Sequence, residues 1–243
     1  MRQLARRIVN FVRPAPRYIP LSVRDILSAQ SSADIVDRFN DLYYASGVSG
    51  TLFWRGIPVL KNPCDLWVVV ELIQTLRPTA IVETGTHVGG SATFYADMGR
   101  LAEAPCTVVT VDINPKWDYD PATRGIVSLK GASTDARVHR QVVDEVAGAR
   151  QRRDGHVMVF LDSDHGASNV LDELELYAPL VTRGSYIVVE DTNVNGHPSF
   201  PSHGPGPWEA VDQFLAANTE FVVDEACQRH LLTYNPRGWL KRI

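Results

Sequence analysis

The chain has only three cysteines, Cys64, Cys106 and Cys227, too few and too scattered for a disulfide framework or a zinc knuckle. It has no apolar run near the roughly 18–20 residues that span a bilayer; its longest candidates, Trp67–Val70 and Val157–Leu161, are the length of strands or helix turns. It has no Gly-Lys-Ser/Thr phosphate loop, which disfavours ATP hydrolysis. The first 24 residues contain no acid but six arginines, Arg2, Arg6, Arg7, Arg13, Arg17 and Arg24, and no apolar h-region of the signal-peptide kind. The remainder then holds 18 basic against 28 acidic residues, a net of -10. Such a body repels phosphate, so no nucleic-acid partner is expected. These absences point to a cytoplasmic protein without a membrane span.

What is present is an ordinary globular composition: 243 residues, 44% hydrophobic and 21% charged, enough for one substantial α/β core. Residues 1–60 read as a basic N-terminal arm and a helical lead-in around Ile35, Val36, Phe39, Leu42 and Tyr43, with Ser31 or Ser32 as cap. This part is a possible homo-oligomer interface. From residue 61 to 243 helices and strands alternate. Helical patterns cover Asp65–Leu76, with Asp65 as cap, then Ser91–Ala102, Thr134–Ala147, Ser168–Tyr177 and Trp208–Ala217. Seven strands are expected at Ala80–Glu83, Thr107–Val111, Ile126–Leu129, His156–Leu161, Ser185–Val189, Glu220–Val223 and Leu231–Tyr234. One such alternating run implies a mostly parallel sheet covered on both faces, with an antiparallel strand from a terminal hairpin.

In an open α/β sheet, ligands bind beyond the carboxyl ends of the strands, where strand order reverses. Six carboxylates fall at those ends: Glu83, Asp112, Asp162, Asp164, Glu190 and Asp191. Converging acids repel one another unless cations or hydroxyl donors stand among them. The turn Glu83–Ser91 is glycine-rich, but its G-x-x-x-G-G spacing does not fit a nicotinamide fold. Asp112 ends the next strand, where an acid meets a ribose diol in nucleoside-binding folds. Asp162 and the pair Glu190–Asp191 are separated by one helix and one strand, so adjacent parallel strands bring them side by side. With water they make an oxygen-rich site for Mg²⁺, with Mn²⁺ or Ca²⁺ as alternatives. His165 serves there as ligand or general base, and Asp164 as outer ligand or as the base itself. The competing reading has these acids capping helices, but no helix follows Glu190–Asp191 directly. The loop after Asp191, with its prolines, glycines, His197 and His203, suggests a lid over the strand ends.

At these motifs the chain resembles the cephalosporin hydroxylase family, which includes rhamnosyl O-methyltransferases and lies within the class I S-adenosylmethionine-dependent methyltransferases. The resemblance runs from about Phe39 to Ile243. It is carried by Phe39–Tyr44, Asp65–Trp67, Val82–Ser91, Leu161–His165, Val189–His197 and Gly204–Pro207. It implies a Rossmann-like α/β fold, a seven-stranded mostly parallel sheet with one antiparallel strand and helices on both faces. It implies S-adenosylmethionine bound by Glu83, Gly85, Thr86, Gly89, Ser91, Asp112, Ala132, Ser133 and Asp162, with Asp112 on the ribose and Ala132–Ser133 bordering the adenine. It implies Mg²⁺ or Mn²⁺ held by Asp162, Glu190 and Asp191, with His165 or Asp164 as the base. The reaction expected is methyl transfer to a hydroxyl of a sugar or other natural-product scaffold, with Tyr43, Trp54 and the Gly-Pro lid either as walls for the acceptor or, equally, as core. The alternative is oxidation of a β-lactam nucleus, as the family's first name suggests. A binding protein without catalysis fits least, because all the acids are retained.

Overall fold

The computed structural model describes residues 31–243, so the arginine-rich arm up to Arg24 lies outside the described residues. In chain order the elements are α1 (Ser32–Ala45), β1 (Phe53–Trp54), β2 (Ile57–Pro58), α2 (Pro63–Leu76), β3 (Ala80–Thr84), α3 (Gly90–Leu101), β4 (Thr107–Asp112), β5 (Ile126–Lys130), α4 (Ala136–Arg152), β6 (Val157–Leu161), α5 (Ala167–Tyr177), β7 (Tyr186–Val189), α6 (Pro207–Ala217), β8 (Phe221–Val223) and β9 (Trp239–Arg242). Seven strands form one sheet in the order β5-β4-β3-β6-β7-β9-β8. All neighbours pair in parallel except at β9, which is antiparallel to both β7 and β8.

The strands are short apolar runs because both faces are covered. Every residue of β3 and β6 is buried, as a parallel sheet between two helical layers requires. One core layer joins Val138, Val142 and Val146 of α4 to Leu174 and Tyr177 of α5 and Val211 and Phe214 of α6. The other joins Val68, Val69 and Ile73 of α2 to Phe94, Tyr95 and Met98 of α3.

Three details differ from the sequence expectation. The last strand is Trp239–Arg242, not Leu231–Tyr234. Side chains take several polar groups of that earlier segment: Asn40 bridges the Leu231 carbonyl and the Thr233 amide, and Asp65 accepts from Thr233 Oγ1 at 2.6 Å and from the Tyr234 amide at 2.8 Å. Asp65 therefore does not cap α2. It is buried in the helix's first turn, and burial pushes its pKa up to about 8 despite those two donors; Asn62 caps the helix by accepting from the Cys64 amide. The lead-in, expected to be helical, also contains a β1–β2 hairpin. Its turn, Arg55-Gly56, has two positive φ angles (52° and 80°), the arrangement of a tight two-residue hairpin. Ser31 does cap α1, accepting from the Asp34 amide at 3.1 Å.

Candidate active site

A cavity of about 580 Å³ opens at the carboxyl ends of β3, β4, β5, β6 and β7. It lies where the chain, after running from β3 out to β5, crosses back to place β6 on the other side of β3, the reversal at which α/β sheets bind ligands. Pro58 and Leu60, on the lead-in side of residue 60, form part of its wall.

The register of the sheet explains the glycine turn. Thr84 pairs with Leu161 across β3 and β6, so the next residues, Gly85 and Asp162, run against each other. Gly85 has φ of +89°, and a Cβ there would lie 1.8 Å from the Asp162 carbonyl oxygen. Gly89 has φ of +78°, and its missing Cβ makes room for the Trp117 ring. Thr86 and Ser91 face the cavity, but Gly89 is not among its lining residues. Neither is Glu83, which is fully buried and accepts from Ser91 Oγ and, at 2.7 Å, from Thr110 Oγ1. Asp112 lines the cavity while accepting from the His87 and Asn114 amides, each at 2.7 Å, one to each oxygen. A carboxylate oxygen has a second lone pair, so Asp112 retains acceptor capacity toward a diol. Ala132 and Ser133 border the same space.

Glu83 gives a pH-dependent prediction. Burial pushes its pKa up to about 7, with Lys61, Ser91 and Thr110 pulling the other way. Below about pH 4.5 the group is protonated whether the chain is folded or not. Between 4.5 and 7 the unfolded chain releases a proton that the folded chain keeps, so stability falls as pH rises; above 7 the loss is constant. The two and a half pKa units correspond to about 3 kcal/mol. Wild type should lose that much relative to Glu83→Gln between pH 4.5 and 8, measured by urea unfolding; parallel pH profiles would refute the assignment.

The acids at the ends of β6 and β7 do come together, because Leu161 pairs with Val189 and the Glu190 amide donates to the Leu161 carbonyl at 3.0 Å. They do not act as one group. Asp162, His165 and Asp191 each offer a ligand atom within 4.8 Å of the others; His165 Nε2 stands 3.3 Å from Asp191 Oδ2 and 3.9 Å from Asp162 Oδ1. Glu190 turns away, with one oxygen 3.0 Å from Lys61 Nζ and the other accepting from Asn235 Nδ2 at 3.0 Å. Asp164 lines the cavity but accepts from the Gly166 amide at 2.8 Å. Asp191 has φ of +54°, and its amide is held by Asn235 Oδ1 at 3.0 Å. Burial raises the pKa values of Glu190 and Asp191 above the ordinary carboxylate range, opposed most by Lys61 and by His165 respectively.

Lys61 is the residue that sequence reasoning missed. It is 4% exposed, and its Nζ is 2.6 Å from Asp162 Oδ2. Burial lowers an ammonium's pKa, but Asp162 and Glu190 outweigh that and hold it well above the usual lysine value. A lone lysine before a helix cap has no motif; its only signal was the surplus of acids needing a cation. Asn235, Asn169 and Glu173 were missed too. Glu173 accepts from Ser163 Oγ at 2.7 Å, and Asn169 donates to Ser163 Oγ and to the Asp164 carbonyl, so α5 braces the loop carrying Asp162 and His165.

Neither Tyr43 nor Trp54 lines the cavity. Trp54 donates to Asp97 at 2.9 Å and packs edge-on against Phe94, in the core. Tyr43 and Tyr44 both pack on Tyr234. Burial and, less strongly, the nearby Asp191 push the Tyr44 pKa up to about 12, and burial raises that of Tyr234 as well. The loop after Asp191 is pinned rather than loose: Glu209 accepts from Asn195, His197 and the Gly206 amide, and His197 stacks on Trp208 with ring centroids 4.2 Å apart. His197 and His203 are outside the cavity lining. Among the described residues no helix is long and apolar enough to cross a membrane.

Known proteins resemble this chain in the same region. Residues 46–243 match the family model described as Rhamnosyl O-methyltransferase/CmcI. The rhamnosyl O-methyltransferase of Mycobacterium leprae is 37% identical over 182 residues, covering 74% of this chain and 77% of that protein. That of Mycobacterium tuberculosis is 34% identical over 183 residues, covering 74% and 73%. Among solved structures, CmcI-N160 without ligand superposes with a TM-score of 0.62 over 96% of this chain and 87% of that one, at 19% identity. A CmcI-D160 structure with Mg and SAM gives 0.61 over the same shares. At that identity the likeness speaks to the fold.

Proposed function

The chain belongs to the rhamnosyl O-methyltransferase/CmcI family of O-methyltransferases, and on that premise we propose that it moves the methyl group of S-adenosylmethionine to a hydroxyl of a rhamnosyl-like sugar or other glycosylated small molecule, with Mg²⁺ or Mn²⁺. One observation carries this reading. A single cavity joins the glycine turn and Asp112 to the Asp162–His165–Asp191 group, so donor and acceptor would meet in one space. Gly85, Thr86 and Ser91 would face the methionine end of the donor, Asp112 its ribose, and Ala132 and Ser133 its adenine.

The donor set fits a hard divalent ion: two carboxylates and an imidazole within 4.8 Å, lining an open cavity. Asp162 and Asp191 would hold it, with Glu190 buttressing them from behind. A divalent ion so placed supplies positive charge that makes an acceptor hydroxyl more acidic. A sugar diol suits the site because vicinal oxygens chelate. His165 Nε2 would take the hydroxyl proton as the oxygen attacks the sulfonium methyl; the site's remaining task is to align the two reactants.

The test is incubation with S-adenosylmethionine and a panel of rhamnosyl glycosides, read by mass spectrometry. One added methyl is expected, lost on exhaustive chelation and restored by Mg²⁺. His165→Gln should lower kcat by about 10²-fold while leaving donor affinity intact. Full activity in chelator would exclude the metal. Turnover of a β-lactam that requires ferrous iron and dioxygen would instead return the oxidative alternative.

A further inference from the structure

Three carboxylates at two adjoining strand ends carry three negative charges, and the chain itself answers part of that charge. Lys61, in the segment just before α2, borders the cavity and places Nζ 2.6 Å from Asp162 Oδ2 and 3.0 Å from Glu190 Oε1. Asn235 takes the second oxygen of Glu190, so both are engaged. Asp162 is divided: one oxygen faces the ammonium, the other lies toward His165. Only Asp162, Asp191 and His165 are left converging as a ligand group among the described residues. An ammonium and a divalent ion sharing one carboxylate repel each other, and burial limits the screening of that repulsion.

We propose that Lys61 is a positioning residue, an internal cation that locks Asp162 to Glu190 and competes with the divalent ion for them, which keeps metal affinity weak. This rests on the metal-dependent reading above, and it concerns a residue that reading does not use. Without Lys61, both carboxylates become free to bind the ion, and the metal-free site carries uncompensated buried charge.

The experiment is Mn²⁺ titration of the full-length protein, by calorimetry and electron paramagnetic resonance, in wild type, Lys61→Met, Lys61→Gln and Lys61→Arg. The Met and Gln variants should bind Mn²⁺ at least ~10-fold more tightly than wild type, and the Arg variant within ~3-fold of it. The metal-free Met and Gln variants should melt below wild type, and saturating Mn²⁺ should close that gap. Should the Met variant not fold, the Gln variant decides, since its amide still donates to one carboxylate. Clear binding by wild type with equal or weaker binding by the Gln variant overturns the proposal for Lys61 alone. Absence of Mn²⁺ binding in every protein, wild type included, overturns the metal reading beneath it.

Discussion

Asp191→Asn should lower kcat by about 10³-fold while S-adenosylmethionine binds with near-normal affinity, the loss corresponding to several kcal/mol of transition-state stabilisation. The reasoning is geometric. Asp191 presents its carboxylate to His165 at 3.3 Å and clusters with Asp162, so one substitution removes a charge from the proposed metal site and the partner of the proposed base. Asparagine is the right replacement because the backbone here has φ of +54°, a conformation asparagine adopts at little cost. The Asn235 bond to the residue 191 amide is unaffected, since it uses the backbone. Calorimetry with the donor and a methylation assay on the same preparation separate binding from chemistry. Undiminished turnover would remove Asp191 from the mechanism.

Among the glycines of the described residues, Gly85 should tolerate an added methyl group (Gly85→Ala) least. The new Cβ would meet the Asp162 carbonyl oxygen at 1.8 Å, against backbone that cannot swing aside, and alanine is strained at φ of +89°. Relief requires β3 and β6 to part where both are buried. A loss of about 3–5 kcal/mol is expected, which for a domain of this size lowers Tm by roughly 10 °C. Donor binding should fall with it, because the same backbone forms the cavity floor. Thermal unfolding and donor calorimetry check both; a variant with wild-type Tm would show that the close approach of Gly85 to Asp162 is misplaced.

The contrast between Gly85 and Gly89 shows how far local sequence reaches. Both glycines stand in a turn that announces itself after a buried strand, and both were expected to touch the donor. Gly85 lines the cavity because the β3–β6 register sets it against Asp162, whereas Gly89 makes room for Trp117, far along the chain. Residue type marked the need for a missing side chain, but not its reason. The final strand is a similar case. Leu231–Tyr234 has the apolar character of a strand, yet its hydrogen bonds go to Asn40 and Asp65, residues of α1 and α2. Trp239 and Leu240, fully buried between β7 and β8, take the strand's place.

The sequence by itself determined the alternation of elements, the burial of the sheet on both faces, and the concentration of acids at strand ends. These follow from short-range periodicity and from the rule that parallel strands end on one side. Only the tertiary structure decided which acids converge with His165 and which pair with the ammonium of Lys61. Charge pairing depends on distances of a few ångströms between segments far apart in the chain, and Lys61 lies 101 residues from one partner. Spacing along a chain carries no information on that scale until the strands are in register.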